Sequence, residues 1–401
     1  MTTLAKPSGR MARARAPGTE PKSASGAERR SPGRLPTAVV LTGTDPATIK
    51  GGIATAVAGY HHALIQCDLF GGLIPTFQAG SASGKWLPWV RALPALRRTI
   101  DRLNREGKAA VVYGHAGPRF SLLRESLTLL WARANGARTM LQLHTPYMDR
   151  YMNKRWVRSL LHIAFLPVDQ VTVLSPWWQR RLTEGGFPGT IVIPNPLSAQ
   201  LEAMAHRTLA RADSGPKVTD AEDPVVILAM ARLTSGKGIQ TAVEALAHLP
   251  ERFVLDIAGD GPELRNLQDL ARKIGVVDRT RFLGWISGTE KDRRLSEADI
   301  FCAPSKADAF SMSMIEALCH GLPVVTVRSR AIADLVKDGE TGYVVEIDDS
   351  KAVAQAILAL AQPSVRADMG RAAASWVLNE LSGKVVGRRI EQAALAVLED
   401  A

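Results

Sequence analysis

The chain has 401 residues, of which 46% are hydrophobic and 22% charged, a globular balance with enough length for two domains. No run of about 18 apolar residues occurs, so no membrane-spanning helix is expected. The formal net charge of +11 points to anionic partners, and three scattered cysteines (Cys67, Cys302, Cys319) without a CxxC pair argue for a reducing compartment rather than disulfides or zinc.

Residues 1–36 hold eight basic and two acidic side chains and no aromatic, so a disordered basic tail is expected. An Arg-rich, acid-poor stretch also fits a transit peptide, whereas no apolar core near Met1 suggests a secretory signal. From Ala38, short apolar runs alternate with helix-length segments. The predicted strands are AVVLTG (38–43), LIPTF (73–77), AVVYG (110–114), TMLQLH (139–144), QVTVLS (170–175) and TIVIP (190–194). Helices are predicted to begin near Ile53, Trp86, Phe120, Lys154 and Trp177. Such alternation predicts βαβ units and a parallel sheet covered on both faces.

Residues 197–223 carry no strand signal and read as a linker. The alternation restarts with VVILAM (225–230), FVLDIAG (253–259), TRFLG (280–284), DIFCAP (299–304), PVVTV (323–327) and GYVVEI (342–347), and a long helical segment follows from about Val365. The predicted architecture is therefore α/β, with two tandem Rossmann-like, doubly wound parallel-sheet domains facing a central cleft. Their expected bounds are 37–196 and 224–375, with a closing helix over 376–401. In such sheets ligands bind beyond the carboxyl ends of the strands.

Five stretches carry candidate chemistry. After the first strand, Gly51 and Gly52 open a helix. Small residues there let a backbone approach a ligand, and helix N-terminal N–H groups favour an anion, although a plain turn reads the same way. His144 ends a central strand, where sheet ligands lie, and His115 has a similar position; either can also be structural. In ARLTSGKGIQTAVEAL, Arg232 and Lys237 flank a loop before a helix, a cradle suited to a diphosphate. The spacing is not that of a Walker loop. In SKADAFSMSMIEALCHGLPVV, Asp308, Ala309 and Phe310 form a loop before a helix starting near Ser311, and Glu316 falls in its second turn. An acid buried there needs a partner. In FLGWISGTE, Gly284, Trp285 and Ile286 offer a backbone edge and an apolar wall suited to a nucleobase, with Trp285 as a core residue the alternative. No DxD, HExxH or GxSxG pattern occurs, and no metal ligand set is read.

Taken together, ARLTSGKGIQTAVEAL, LDIAGDGPELRNL, RFLGWIS, ADIFCAPSKADAFSMSMIEALCHGLPVVTV and DGETGYVV resemble, in order and spacing, the carboxyl-terminal half of GT-B glycosyltransferases of family 4. GGIATAV, LQLHTPY, VTVLSPW and VIPNPL match the amino-terminal half more loosely. The resemblance implies retaining transfer of a hexose from a UDP- or GDP-sugar, without a cofactor or a required metal. It implies that Arg232 and Lys237 bind the donor diphosphate and that Glu316 holds the ribose. Asp308 stands where the family usually has a Glu touching the donor sugar. The loop Phe310, Ser311 and Met312 would meet sugar and phosphate, with Gly259 beside the donor, Gly51 and Gly52 in the glycine loop, and His144 near the transferred sugar.

Residues 85–158 hold fifteen basic and four acidic side chains, and residues 221–401 hold 21 and 26. The basic half is the one expected to take the acceptor. KWLPWVRALPALRRTIDRL and RYMNKRWVRSLLHIAFL mix Trp86, Trp89 and Trp156 with arginines, which suits an anionic membrane leaflet or, alternatively, a solvated basic face. Pro88 and Pro94 are expected to break the first of these segments. The expected partners are a nucleotide-sugar donor, a lipid-linked or oligosaccharide acceptor, and the cytoplasmic face of a membrane. A soluble acceptor, or sugar-nucleotide binding with little turnover, stand as alternatives. Nucleic acid has charge in its favour but no recognition motif.

Overall fold

The computed structural model describes residues 35–46, 52–78, 86–212 and 223–399. Gly51 and nearly all of the expected tail lie outside them. The first lobe runs β1 (Thr37–Thr44), α1 (Gly52–Gln66), β2 (Phe70–Phe77), α2 (Leu87–Arg105), β3 (Ala109–Ala116), α3 (Phe120–Ala134), β4 (Arg138–Leu143), α4 (Met148–Met152), α5 (Arg155–Phe165), β5 (Gln170–Val173), α6 (Pro176–Glu184) and β6 (Ile191–Val192). Helix α7 (Ala199–Ala212) follows, inside the stretch read as a linker. The second lobe runs β7 (Val225–Met230), α8 (Ile239–Leu246), β8 (Phe253–Ala258), α9 (Leu264–Lys273), β9 (Thr280–Gly284), α10 (Gly288–Glu297), β10 (Ile300–Ala303), α11 (Met312–Cys319), β11 (Val324–Val327), β12 (Gly342–Val345) and α12 (Ser350–Ala359). Two long helices, α13 (Pro363–Leu381) and α14 (Gly383–Glu399), end the fold.

The two sheets are six-stranded and parallel, in the orders β2-β1-β3-β4-β5-β6 and β12-β11-β10-β7-β8-β9. Each order reverses once, between β1 and β3 and between β7 and β10, and the carboxyl ends flanking a reversal leave a crevice for a ligand. Alternation along the strands sets the cores. Val39 and Leu41 face a cluster with Tyr60, Tyr113 and Ile390, while Ala38 and Val40 face the opposite side. One continuous cluster runs from Val40 and Leu143 through Trp178 to Phe310 and Phe301, so the two lobes share buried apolar surface.

The chain does not end on its own lobe. Helix α14 packs on α1, β1 and β4, with Val386, Ile390 and Ala394 fully buried. Helix α7 is likewise fixed: Thr208 Oγ1 donates to the Cys319 carbonyl at 2.9 Å, and Glu202 accepts from the Gly383 N–H at 3.0 Å.

One expectation fails. Residues 87–105 form a single helix despite both prolines. Pro88 sits in the first turn, where its N–H has no intrahelical partner to lose. Pro94 lies inside the helix, but Ala92, Leu96, Ile100 and Leu103 are buried along one face, and that packing outweighs the lost bond.

Candidate active site

The crevice of the second sheet is built from two loops in contact. After β7, the chain passes Arg232, makes a 3-10 turn over Ser235–Lys237, and reaches Gly238 at φ 67°. A Cβ on Gly238 would stand 1.9 Å from the Pro304 carbonyl oxygen, so only glycine allows the loop after β7 to lie on the loop after β10. The contact brings Lys237 to Asp308. Lys237 Nζ donates to Oδ1, and Ser305 Oγ donates to Oδ2 at 3.0 Å. Gly259 makes a second close approach, since a Cβ there would meet the Ala231 carbonyl oxygen at 1.8 Å.

Helix α11 starts directly after Asp308–Ser311. Phe310, Ser311 and Met312 are all buried, and the Ser311 side chain does not cap the helix. Its Oγ lies 3.3 Å from Ser313 Oγ, leaving the first N–H groups of α11 for another acceptor. Glu316, 6% exposed, faces α10, where Lys291 Nζ lies 2.7 Å from Oε1. The two acids therefore have different cations.

The first lobe supplies the facing wall. A Cβ on Gly52 would lie 3.6 Å from Met312 Cγ, so α1 and α11 begin against one another. Two helix N-termini converge there, and their summed dipoles favour an anion. Asn195 Nδ2 reaches Met312 Sδ at 3.5 Å, and Trp178 Nε1 donates to the Ala309 carbonyl at 3.1 Å. The Asp308 loop is thus held from both lobes.

His144 follows β4 and is buried beside His115 of β3, with Nε2 2.9 Å from His115 Nδ1. Tyr60 stands edge-on to both rings, 4.5 Å from His115 and 6.2 Å from His144. Burial pushes His144 down to about 3, and burial with the neighbouring imidazole pushes His115 well below its ordinary range. Both rings are neutral near neutral pH, so one donates to the other.

The structure thus gathers Lys237, Asp308, Phe310, Ser311, Met312 and Gly52 at one place, with Glu316 one turn deeper. Arg232 is exposed and enters no ion pair among the described residues. Gly51 lies outside the described residues. Gly284 is at φ 67° with no atom within 4 Å of a Cβ. Trp285 stands in solvent at 54% exposure, which removes the core alternative, and Ile286 packs partly into the core. Three contributors escaped the sequence reading. Lys291 sits in the charged run GTEKDRRL and looks like solvated surface. Trp178 is adjacent to the equally apolar Trp177. Asn195 lay in the quoted VIPNPL, but nothing local showed that it reaches the second lobe.

Comparison with known proteins agrees with this fold. Residues 211–376 match the family described as Glycosyl transferases group 1. The lipopolysaccharide core biosynthesis glycosyltransferase LpsE of Rhizobium meliloti is 36% identical over 141 residues, covering 35% of this chain and 41% of that protein. A GDP-mannose-dependent alpha-(1-6)-phosphatidylinositol monomannoside mannosyltransferase of Mycolicibacterium smegmatis is 29% identical over 56% of this chain and 61% of its own length. The chain thus spans about half the length of these curated relatives. Among solved structures, Anabaena HepE in complex with UDP and glucose superposes with a TM-score of 0.67 at 16% identity, covering 90% of this chain and 100% of that one. Sucrose-phosphate synthase from Thermosynechococcus elongatus gives 0.69 at 19% identity over 91% and 100%. Residues 211–376 are therefore similar to the group 1 glycosyl transferases, and the chain has the GT-B fold.

Proposed function

We propose that the protein transfers a hexose, with retention, from a UDP- or GDP-sugar to a lipid-linked or saccharide acceptor in polysaccharide or glycolipid assembly. The observation that carries the reading is the convergence of Lys237 with the N-termini of α1 and α11 at one point between the lobes. Breaking a sugar–phosphate bond leaves positive charge on the anomeric carbon and negative charge on the departing diphosphate. A fixed cation and two helix starts, already oriented, stabilise that separation without reorganising as charge develops.

In this reading Lys237 and Arg232 hold the diphosphate, Glu316 the ribose, and the backbone of Phe310–Met312 the sugar and phosphate. Lys237 exchanges the Asp308 carboxylate for the donor, which releases Asp308 toward the sugar. His144 closes the sugar side. Neither acid is assigned as a nucleophile; the leaving phosphate takes the acceptor's proton on the same face. No metal is given a part. Similar proteins support the donor class, one solved in complex with UDP and glucose and another GDP-mannose-dependent. They also support a glycolipid acceptor, which the basic first lobe would meet at the cytoplasmic face of a membrane.

The test is a panel of UDP-, GDP- and ADP-sugars, scored by slow donor hydrolysis, thermal shift and the anomer of the product. One donor class should raise the melting temperature and give product of retained configuration. A panel in which no donor stabilises the protein removes the reading.

A further inference from the structure

Helix α3 is apolar on both sides. Its buried side mixes Leu122, Leu129 and Ala132 with Arg124, Glu125, Ser126 and Thr128, and Glu125 accepts from Thr42 Oγ1 at 2.9 Å. Its exposed face carries Phe120, Leu123, Leu127, Leu130 and Trp131, at 72, 50, 39, 52 and 38% exposure. The stripe runs about 16 Å along the axis. Helix α5, in contact with α3, exposes Trp156, Leu160 and Ile163 at helical spacing, and Leu166 just beyond its end. The start of α2 adds Trp86, Leu87 and Val90, and α2 is tied to α3 by Trp89 Nε1 donating to Thr128 Oγ1 at 3.0 Å. An uncovered apolar face of this extent marks a surface that meets something.

Where α3 and α5 begin, a recess of about 500 Å³ opens, lined by Arg119, Tyr147, Arg150, Tyr151, Lys154 and Trp156. The guanidinium of Arg150 lies 5.7 Å from the centre of the Tyr147 ring. Among the described residues, Arg119, Arg150 and Lys154 pair with no carboxylate. The nearby acid, Asp149, is taken by Arg181 at 2.7 Å and by Arg330 of the second lobe at 3.2 Å. Three cations and three aromatics thus stand at the edge of an apolar face. Tyr147 is three residues beyond His144, so the recess is on the rim of the cleft.

We propose that this recess binds the phosphate of an anionic lipid, while the exposed faces of α3 and α5 rest among the acyl chains of the same leaflet. The proposal builds on the transfer reading above, in which the first lobe meets a lipid-linked acceptor. Charge complementarity chooses the occupant. A protein partner would cover the apolar stripe but would leave three clustered cations to find acids, whereas a leaflet supplies hydrocarbon and phosphate at adjacent depths, with Tyr and Trp between them.

The test is flotation of the full chain with phosphatidylcholine vesicles, plain or containing about one third phosphatidylglycerol, at about 50 mM and about 300 mM salt. The wild type should float with the anionic vesicles at low salt. Arg150→Gln with Lys154→Gln should lower affinity about thirty-fold, from roughly five-fold per cation. Leu127→Ser with Leu130→Ser should lower it on anionic vesicles at both salt concentrations. Arg97→Gln with Arg98→Gln, on α2 and outside the recess, should cost much less. An equal loss from both arginine-containing pairs means diffuse charge and overturns the recess, as does a wild type that never floats. Glycerol phosphate or inorganic phosphate displacing the protein fully at millimolar levels would assign the recess to a free anion instead of a lipid. Donor thermal shift is read in parallel. A chain that floats with the expected pattern but answers to no donor keeps the recess and loses the transferase reading; a donor shift without flotation loses the recess alone.

Discussion

Lys237 and Asp308, 71 residues apart in sequence, are joined as an ion pair because Gly238 lets one loop lie on the other. In the proposed reading the pair occupies the cation that would hold the donor diphosphate. Asp308→Asn should therefore tighten nucleoside diphosphate binding about two- to five-fold, the worth of a partly exposed pair. Turnover should fall in the same variant, since its carboxylate is lost. Calorimetric titration with UDP and GDP checks the first outcome; unchanged affinity would mean that Asp308 does not compete.

Lys237→Ala and Glu316→Ala should each reduce turnover by at least about 100-fold, the usual cost of losing a group aimed at developing charge or at a buried substrate contact. Far-ultraviolet dichroism and melting should remain close to wild type. Full activity in either variant takes that residue out of the site.

Lys291→Met should act on stability instead. It leaves the Glu316 carboxylate, 6% exposed, without its cation, at a cost of about 1–3 kcal/mol. Adding Glu316→Gln should recover most of that loss in urea titration, because an amide is cheaper to leave unpaired than a charge.

Two glycines with the same backbone angle separate crowding from strain. Gly238 and Gly284 both have φ 67°, but a Cβ meets the Pro304 carbonyl oxygen at 1.9 Å in the first and no atom within 4 Å in the second. Gly284→Ala should cost about 1–2 kcal/mol, the left-handed penalty alone. Gly238→Ala should cost clearly more and should also weaken donor binding, because the two loops must separate. Equal melting shifts would refute the loop contact.

Acid should loosen the first lobe through its buried imidazoles. An unfolded histidine takes up its proton near 6.5, and folded His144 only at about 3. The unfolded chain binds more protons between those values, so stability falls as pH drops through that window, by up to about 1.4 kcal/mol per pH unit for each such ring. Glu125, raised by burial, works in the opposite sense and loses stability as pH rises. His144→Asn should flatten the difference between urea midpoints measured at about pH 7.5 and about pH 5.5.

Most of the scaffold was legible because parallel strands buried on both faces are short apolar runs, and all twelve observed strands overlap such a run. The loops carrying Lys237 and Asp308, and the helix start leading to Glu316, were legible as well, since glycine and polar residues cluster at strand ends. Partners were not. Lys291 finds Glu316 only through the tertiary path of α10, and α2 passes through Pro94 because its neighbours bury Leu96 and Ile100. The exposed face of α3 was illegible for a different reason. Helical spacing says which side chains share a face but not whether that face meets the core or something outside the chain.

The packing of α14 has a consequence for synthesis. Val386, Ile390 and Ala394 complete the cluster that contains Val39, Leu41 and Tyr60. On the ribosome, the first sheet would emerge with one side uncovered and wait for the final seventeen-residue helix to leave the exit tunnel. A fragment cut between the lobes would carry that side uncovered, so the amino-terminal half should aggregate more readily alone than it does with α14 in place.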